Sequence, residues 1–272
     1  MRQYSAAIYA NENLLLTEVL EKIEGDLPTI GINVYGSSLA GSEISTATAE
    51  YVVGKAESIS EEEILIVISD PQNDVEHIRK FDGTVIDMTG TFEGLMDEVY
   101  VVEDPIVYIL NSVAKDKDSV EAVATLPAAV FGKSGIDDLL SQTRELFAFS
   151  NAETKVFENR LAFNLFFSDL DQGILSGYRQ KLKQETGVDV DVRMIAVSTG
   201  FVLDVYFKKD VNSDIKFSVS PDEFTEKLSD IIGLDSIVKL AETPNRLSFT
   251  GDYIHTIVRQ IIDALKDITG ED

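Results

Sequence analysis

The chain has 272 residues, 44% hydrophobic and 26% charged, which is enough to bury one large core or two moderate ones. It contains no cysteine, so disulfides, thiolate metal sites and thiol nucleophiles are excluded. Its formal net charge of −25 repels nucleic-acid phosphates and anionic membrane surfaces, although it is compatible with a basic protein partner.

The N-terminal third alternates short strands with helices. Residues 1–16 hold one Arg and a short apolar run, so we predict no signal peptide, no transmembrane helix and a cytoplasmic location. The apolar run Ile64–Ile68 is typical of a strand that is covered on both faces of a parallel sheet. The predicted elements are strand Ser5–Tyr9, helix Leu14–Ile23, strands Thr29–Tyr35 and Ile64–Ile68, helix Asp74–Phe81 and strand Thr84–Asp87. This order predicts a doubly wound, Rossmann-like α/β region.

The rest of the chain contains a second set of elements. Pro105 lies at the start of a predicted helix, where its missing N–H is not needed. Ser134 and Asp137 have the spacing of a capping box for a helix over Ile136–Phe147. The predicted elements are helix Pro105–Ala114, strand Val120–Leu126, helix Ile136–Phe147, the aromatic stretch Val156–Phe167, helix Leu175–Glu185, strands Val188–Val197, Val202–Phe207 and Ile215–Val219, and helices Pro221–Ile232 and Thr250–Ile268.

Two nucleotide-binding motifs are incomplete. Phe131–Ser134 resembles the end of a P-loop, but Pro127 stands where the motif needs a glycine whose amide contacts phosphate. A dinucleotide turn would lie within Tyr9–Leu16, which contains no glycine and places Glu12 where it would face phosphate. We therefore predict that nucleotide triphosphate binding is absent and that the dinucleotide signal is lost.

The titratable side chains form no recognisable catalytic or metal-binding pattern. His77 and His255 are each interpreted as surface histidines, since no Ser-His-Asp or His-rich spacing accompanies them. Asp189 and Asp191 project from one face of a strand, but without a third ligand they predict a solvated strand face. We predict no metal site.

The stretch Arg160–Leu165 lies in an aromatic segment that is typical of a core strand or an interface strand. The segment contributes Phe157, Phe163, Phe166 and Phe167, and aromatic residues are enriched in dimer interfaces.

The order of these segments resembles the aspartate-semialdehyde dehydrogenase family, and is closest in style to its divergent Usg branch. The run Ala124–Phe147 has a glycine loop and a Gln142-Thr143 pair, as family members do. The family's Ala-Phe-Asn strand follows at Ala162–Asn164. Weaker likenesses are Ser37–Glu43, Gly83–Phe92 and a closing segment Asn245–Leu265.

The resemblance implies an α/β fold with two domains. It implies a Rossmann-like NAD(P)-binding-type domain over 1–104, completed by a C-terminal helix over 246–272. It implies a glyceraldehyde-3-phosphate-dehydrogenase-like dimerisation domain over 105–245, with shortened hairpins between Phe217 and Asn245. A homodimer is then expected, with an interface at Phe157, Arg160, Phe163 and Asn164.

The resemblance also locates the family's functional positions, and each lacks the required side chain. The cysteine nucleophile would lie near Pro105 and the histidine near Val202, while the cofactor glycines would lie near Ala10, Asn13 and Leu16. A thiolate is needed because it is both nucleophilic and a good leaving group near neutral pH. The resemblance therefore predicts no catalytic residues, loss of NADP binding and no other cofactor.

We predict a catalytically inactive homologue that acts as a homodimeric binding, scaffolding or regulatory protein. Its partners would be itself and other proteins, with neither nucleic acid nor membrane. One alternative is an oxidoreductase-like enzyme or a nucleotide-binding or small-ligand-binding protein with a remodelled cleft, served by Glu12, Asp70 and Asp87 at the strand ends. A second alternative is that the resemblance reflects only general α/β patterning.

Overall fold

The computed structural model describes residues 4–12, 14–114, 120–167, 173–208 and 230–271. The chain divides into two compact units. The first comprises Met1–Glu103 and Ile257–Asp272, and the second comprises Asp104–Thr256. Within the described part of the chain, no helix is both long and apolar enough to cross a membrane.

The first unit is built on a parallel sheet. Its elements are β1 Ser5–Tyr9, α1 Leu14–Asp26, β2 Gly31–Tyr35, β3 Glu43–Ser45, β4 Glu50–Val52, β5 Ile64–Val67, α2 Val75–Ile78, β6 Thr84–Asp87 and β7 Val99–Val101. The sheet order is β2-β1-β5-β6-β7 with every pairing parallel, while β3 and β4 form a separate antiparallel pair. The predicted parallel, doubly wound sheet is therefore confirmed.

Burial explains why β1 and β5 occupy the centre of this sheet. All four residues of β5 are buried, and so are all residues of β1 except Ser5. Strands whose side chains are apolar on both faces require cover on both faces, which only central strands of an α/β sheet receive. The chain runs from β1 to one side through α1 and then returns to the other side of β1 as β5. The carboxyl ends of β1 and β5 therefore enclose the switch point at which such sheets usually bind ligands.

The second unit contains a mixed sheet flanked by helices. Its elements are α3 Pro105–Val113, β8 Val120–Leu126, α4 Gly132–Phe147, β9 Leu165–Phe167, α5 Ile174–Thr186, β10 Asp189–Ile195, β11 Gly200–Phe207, β12 Val238–Thr243, β13 Arg246–Asp252 and the start of α6 Tyr253–Thr269. The order is β12-β13-β11-β8-β10-β9, in which only the β8–β10 pairing is parallel. Buried and exposed residues alternate along β10, as predicted for a half-exposed strand.

Helix boundaries follow the sequence signals at some ends and depart from them at others. α5 ends at a left-handed Gly187, as predicted, because glycine adopts this conformation without steric cost. The predicted capping box at Ser134 is wrong, since α4 already begins at Gly132. The Ser134 hydroxyl donates instead to the Phe131 carbonyl at 3.0 Å.

The domain assignment needs one correction at its C-terminal segment. The predicted helix over 246–272 is wrong at its start, since residues 246–252 form β13 of the second sheet and the first unit resumes only at Ile257. The cause is their pairing with β11, in which Gly200 lies opposite Asp252 and Tyr206 lies opposite Arg246. This pairing buries the stretch. The predicted strand Ile215–Val219 and residues 221–229 of the predicted helix lie outside the described residues.

The aromatic stretch Val156–Phe167 is not a single strand. Only Leu165–Phe167 is extended, and the preceding residues have no regular structure because their N–H groups bond to side chains of α4. One Asp138 carboxylate oxygen accepts from the N–H groups of residues 155, 156 and 157 at 2.9, 2.7 and 3.1 Å. The Gln142 carbonyl oxygen accepts from the N–H groups of residues 161 and 162 at 2.8 and 3.1 Å.

Removing this acceptor should loosen the segment. We expect Asp138→Ala to lower the free energy of unfolding by about 2–4 kcal/mol, because it leaves buried donors without a partner. Chemical denaturation would measure the loss. Asp137→Ala is the matched control, since its side chain is 57% exposed, and it should change stability by no more than about 0.5 kcal/mol. Equal losses in the two variants would contradict this role of Asp138.

Candidate functional site

The switch point of the first sheet is the place where sheets of this kind usually bind ligands. Of the predicted cofactor-turn residues, Ala10 and Leu16 are fully buried, and Asn13 lies outside the described residues. The residue that dominates the crevice is Asn11, which lies in the same turn. Its backbone N–H donates to the Ser69 hydroxyl at 3.0 Å, which joins the ends of β1 and β5.

Both the oxygen and the nitrogen of the Asn11 carboxamide make hydrogen bonds. Its Oδ1 accepts from the backbone N–H groups of Ser37 and Ser38 at 3.1 and 3.0 Å. Its Nδ2 donates to the Tyr9 hydroxyl at 2.8 Å and to the Asp70 carbonyl at 3.3 Å. The side chain therefore bridges the loops that follow β1, β2 and β5.

A buried carboxylate completes this network. Asp74 accepts from the Tyr9 hydroxyl at 2.6 Å and from the Ser37 hydroxyl. Burial, followed by the hydrogen bond to Asp74, raises the pKa of Tyr9 to about 12, so the phenol stays protonated. Gly36 makes the close approach possible, because a Cβ there would lie 1.9 Å from the Ala10 carbonyl oxygen.

A dinucleotide pyrophosphate does not fit this crevice. Its usual place is beside free backbone N–H groups at the start of the first helix, with glycines that permit close approach. Here the turn between β1 and α1 contains no glycine, and the N–H groups of Ser37 and Ser38 after β2 are occupied by Asn11. The residues present therefore disagree with the cofactor that this type of domain implies.

The acidic residues at the strand ends serve their own loops. Asp87 is fully buried, and its two carboxylate oxygens accept from the N–H groups of Thr89 and Phe92, both at 2.8 Å. Asp70 accepts from the N–H of Gln72 at 3.0 Å, and Gln72 has a left-handed φ of 45°. These carboxylates shape turns.

The start of α3, in the second unit, is the position predicted for a nucleophile. Pro105 is the first residue of the helix and is buried, while Asp104 precedes it as the N-cap. The Asp104 carboxylate accepts from the N–H of Ile106 at 2.9 Å, which satisfies a donor at the helix end. Residues 104 and 105 therefore supply a cap and a proline ring, and neither carries a thiol or a hydroxyl.

Two tyrosines enclose the Asp104 carboxylate. The Tyr178 hydroxyl lies 2.9 and 2.8 Å from its two oxygens, and the Tyr253 hydroxyl lies 2.6 Å from one of them. Burial and the negative charge of Asp104 raise the pKa of both phenols, so both remain hydrogen-bond donors. Only 4% of the Asp104 side chain is exposed, and the Lys181 ammonium lies 3.9 Å away.

The position predicted for the family histidine also carries no proton-transfer group. Val202 lies in β11 between Thr125 of β8 and Thr250 of β13, and is half-buried. The nearby acid is Asp252, which is 1% exposed and accepts from the Thr199 hydroxyl at 2.8 Å and from the Gly233 N–H at 3.0 Å.

Asp252 caps α6 and pairs with a histidine. It accepts from the N–H groups of Ile254 and His255 at 2.9 and 3.1 Å, and the His255 Nδ1 lies 3.3 Å from it. His255 is half-buried, with 26% of its side chain exposed, and differs in this from the predicted surface histidine. Burial alone would raise the pKa of Asp252, but these hydrogen bonds outweigh it and lower the pKa to about 2.

The structure separates the four residues predicted for an interface. Phe157 is not available to a partner, because it is 2% exposed and packs edge-on against Phe131 with ring centroids 5.9 Å apart. Arg160, Phe163 and Asn164 are exposed, and the Asn164 Nδ2 donates to the Arg160 carbonyl at 2.6 Å. The exposed members form part of a wider aromatic surface.

The strand-face acids Asp189 and Asp191 are ion-paired. Asp189 lies 2.9 Å from Arg179 and 4.0 Å from Lys183, and Asp191 lies 3.2 Å from Arg193. Across the part of the chain that the structure describes, no group of three or more His, Asp or Glu side chains is placed to hold a metal ion.

The whole chain resembles solved aspartate-semialdehyde dehydrogenases in fold. A probable aspartate-semialdehyde dehydrogenase from Pseudomonas aeruginosa is 16% identical, with a TM-score of 0.73 over 97% of this chain and 98% of that one. Aspartate semialdehyde dehydrogenase II from Vibrio cholerae is 17% identical, with a TM-score of 0.73 over the same shares of the two chains. The Candida albicans enzyme, solved with NADP, is 9% identical, with a TM-score of 0.56 over 97% of this chain and 99% of that one.

Sequence comparisons find no such match. No protein-family model matches the sequence, and no curated protein matches it significantly. At these identities the structural likeness establishes the two-domain fold of aspartate-semialdehyde dehydrogenases, and a divergent member of that family fits it. General α/β patterning alone would not produce a match over nearly the full length of both chains.

The Asp252 network predicts a specific acid sensitivity. The folded pKa of about 2 lies below the ordinary value of 3.8, so the stabilisation is complete above the ordinary value and is lost as pH falls towards 2. We expect about 2 kcal/mol of the free energy of unfolding to disappear between pH 5 and pH 2 through this group. Comparing wild type with Asp252→Asn by denaturation at each pH isolates this loss.

A surface carboxylate serves as the control. Asp263→Asn, at an exposed acid paired with Arg259, should keep the pH dependence of the wild type. An Asp252→Asn variant with the same pH dependence as wild type would show that Asp252 does not stabilise the fold through its charge.

Proposed function

We propose that this protein is a noncatalytic homologue of the aspartate-semialdehyde dehydrogenases that works as a homodimeric binding, scaffolding or regulatory protein. The observation that carries the proposal is the start of α3. There Pro105 follows a capping Asp104 whose carboxylate is already bonded to Tyr178 and Tyr253. A buried proline cannot attack an aldehyde, and the neighbouring carboxylate has no free access to a substrate.

The other functional positions support the same conclusion independently. A proton-transfer group is absent at Val202, where the strand ladder of β11 continues. The dinucleotide crevice is bridged by Asn11. A single lost group could be replaced by another, but nucleophile, base and cofactor turn have all been replaced by groups that serve the fold. The absence of cysteine is compatible with a cytoplasmic location, which we include in the proposal.

The proposed dimer surface is an exposed aromatic patch around the end of α4. The Phe patch comprises Phe147, Phe149 and Phe163, which are 72%, 99% and 67% exposed. The rings of Phe147 and Phe163 pack edge-on with centroids 5.8 Å apart. An exposed cluster of aromatic side chains is typical of a protein–protein interaction site.

Backbone strain in the Phe patch supports the same role. Phe149 and Phe163 have left-handed φ values of 57° and 61°, which are unfavourable for residues with a bulky side chain. Conformations of this kind persist where the surroundings or a function require them. A second copy of this chain is the occupant that the fold likeness favours.

The catalytic part of the proposal has a direct test. The purified protein should not reduce NADP with aspartate semialdehyde and phosphate, and Pro105→Cys should not gain this activity. The reason is that a thiol alone supplies neither base nor cofactor site. We expect both to remain at least about 1000-fold below an active aspartate-semialdehyde dehydrogenase assayed alongside.

Calorimetric titration with NADP and NAD tests the alternative that the cleft is remodelled and still binds a ligand. Saturable binding would favour a nucleotide-binding protein. Turnover by the wild-type chain would overturn the proposal altogether.

The dimer surface can be tested by mass in solution. Wild type should have twice the 30.0 kDa mass of one chain by light scattering, and Phe147→Ser with Phe163→Ser should shift it towards monomer. Loss of a central aromatic pair should weaken association at least about tenfold. Val52→Ser is the control, because it removes a side chain that is 69% exposed in the other unit.

Salt provides a second measurement on the same samples. Two copies that each carry a net charge of −25 repel one another, so association should strengthen as salt screens the charge. A monomeric wild type at all salt concentrations would remove the homodimer from the proposal. A stable dimer of the double variant would place the interface elsewhere.

A further inference from the structure

The first sheet ends in a strand, β7, whose outer side pairs with no strand among the described residues. β7 is the last strand in the order β2-β1-β5-β6-β7. The Val102 N–H donates to the Asp87 carbonyl of β6 at 2.8 Å. Because successive residues of a strand point their backbone groups to opposite sides, Val99 and Val101 direct theirs away from β6. β7 therefore offers a hydrogen-bonding edge to a further strand.

Apolar side chains are exposed along this edge. Leu95, Tyr100 and Val101 are 50%, 39% and 42% exposed, and all three lie in β7 or shortly before it. Edge strands are commonly protected by a short length, a charged side chain, a proline or a bulge. Apart from its length of three residues, β7 has none of these protections. An apolar edge of this kind is typical of a strand that pairs with a segment of another chain.

A cavity of about 490 Å³ lies at the amino end of β7 and combines apolar with acidic side chains. Its apolar lining is Phe81, Leu95 and Met96, and its acids are Asp82, Asp97 and Glu98. Arg79 also lines the cavity and is paired with Glu76 at 3.2 Å. Such a lining suits an aliphatic stem that ends in a positive charge, which is the chemistry of a lysine side chain.

A second copy of this chain fits the edge poorly because acids flank β7 on both sides. Asp97 and Glu98 precede the strand, and Glu103 follows it. Two antiparallel copies of β7 would bring these acids against one another, and like charges placed opposite destabilise a strand pair. A strand flanked by lysines would place cations against the same acids, so charge complementarity favours a basic partner.

We propose that the outer edge of β7 docks an extended, lysine-bearing segment of a partner protein as an added strand. Backbone hydrogen bonds to Val99 and Val101 supply the affinity, and the acidic cavity takes a lysine of the partner. The inference rests on the proposed binding role and names the class of partner for it. β7 belongs to the first unit and the Phe patch to the second, so each surface can be altered by itself.

The test uses the full chain and a synthetic peptide of about eight residues, the length of an ordinary strand, in which lysine alternates with valine. We expect saturable amide NMR shifts centred on Val99 and Val101, and no binding of the same peptide with glutamate in place of lysine. Val101→Pro removes an N–H that β6 does not use and should weaken binding at least about fivefold. Leu95→Ser with Tyr100→Ser, which should also weaken binding, covers the case in which Val101→Pro does not fold.

Paired charge variants separate the cavity from the general acidity of the chain. Asp82→Asn with Asp97→Asn should weaken binding of the lysine peptide at least about threefold. Glu43→Gln with Glu50→Gln is the matched control, because it removes the same charge from exposed acids of β3 and β4 in the same unit. This control should leave the affinity close to that of wild type.

Three results would overturn the docking edge. The first is the absence of shifts at Val99 and Val101, or equal binding of the glutamate peptide. The second is an equal loss in the two pairs of charge variants, which would reduce the effect to net charge. The third is a wild-type dimer that Val101→Pro converts to monomer in light scattering, which would assign the edge to a second copy. The first two results leave the proposed absence of catalysis and the Phe patch untouched, and the third moves only the dimer interface.

Discussion

The solvation of buried carboxylates by neutral donors is the constraint on which most of this structure depends. With 48 acidic and only 23 basic residues, there are too few cations to pair with every acid. A carboxylate removed from water must still be hydrogen-bonded, because an unpaired buried charge is very costly. Asp87, Asp138 and Asp252 meet this need largely with backbone N–H groups, which each of them draws from a neighbouring loop or helix start.

Hydroxyl groups meet the same need elsewhere. Glu24 accepts from Thr46, Thr48 and Tyr51, which joins α1 to the β3–β4 pair. Glu62 accepts from Tyr35 and Asn33, and these bonds outweigh the effect of burial and lower its pKa. Such contacts depend less on salt than exposed ion pairs do, since screening acts mainly on charges at the surface. The acidity of the chain is therefore compatible with a well-satisfied interior.

The same chemistry is found at the start of α3 and at the carboxyl ends of β1 and β2. Catalysis requires groups that touch a substrate, with donors left free for charge that develops in the transition state. At the start of α3, both oxygens of Asp104 are taken by tyrosine hydroxyls and a backbone N–H. At the switch point, the N–H groups of Ser37 and Ser38 are taken by Asn11. In both places the polar groups satisfy one another, which stabilises the fold.

The sequence by itself determined the local elements of this protein. Strands β1, β6 and β8 begin and end where apolar periodicity placed them, and the end of α5 followed from Gly187, because these signals act over a few neighbouring residues. Only the tertiary structure decided the partners of the polar groups. Asp104 meets Tyr178 and Tyr253 across 74 and 149 residues of chain, and no local pattern marks such pairs. For the same reason the aromatic pattern of Val156–Phe167 predicts a longer strand than β9. The N–H groups before β9 bond to side chains of α4, and such distant partners leave no trace in the local periodicity.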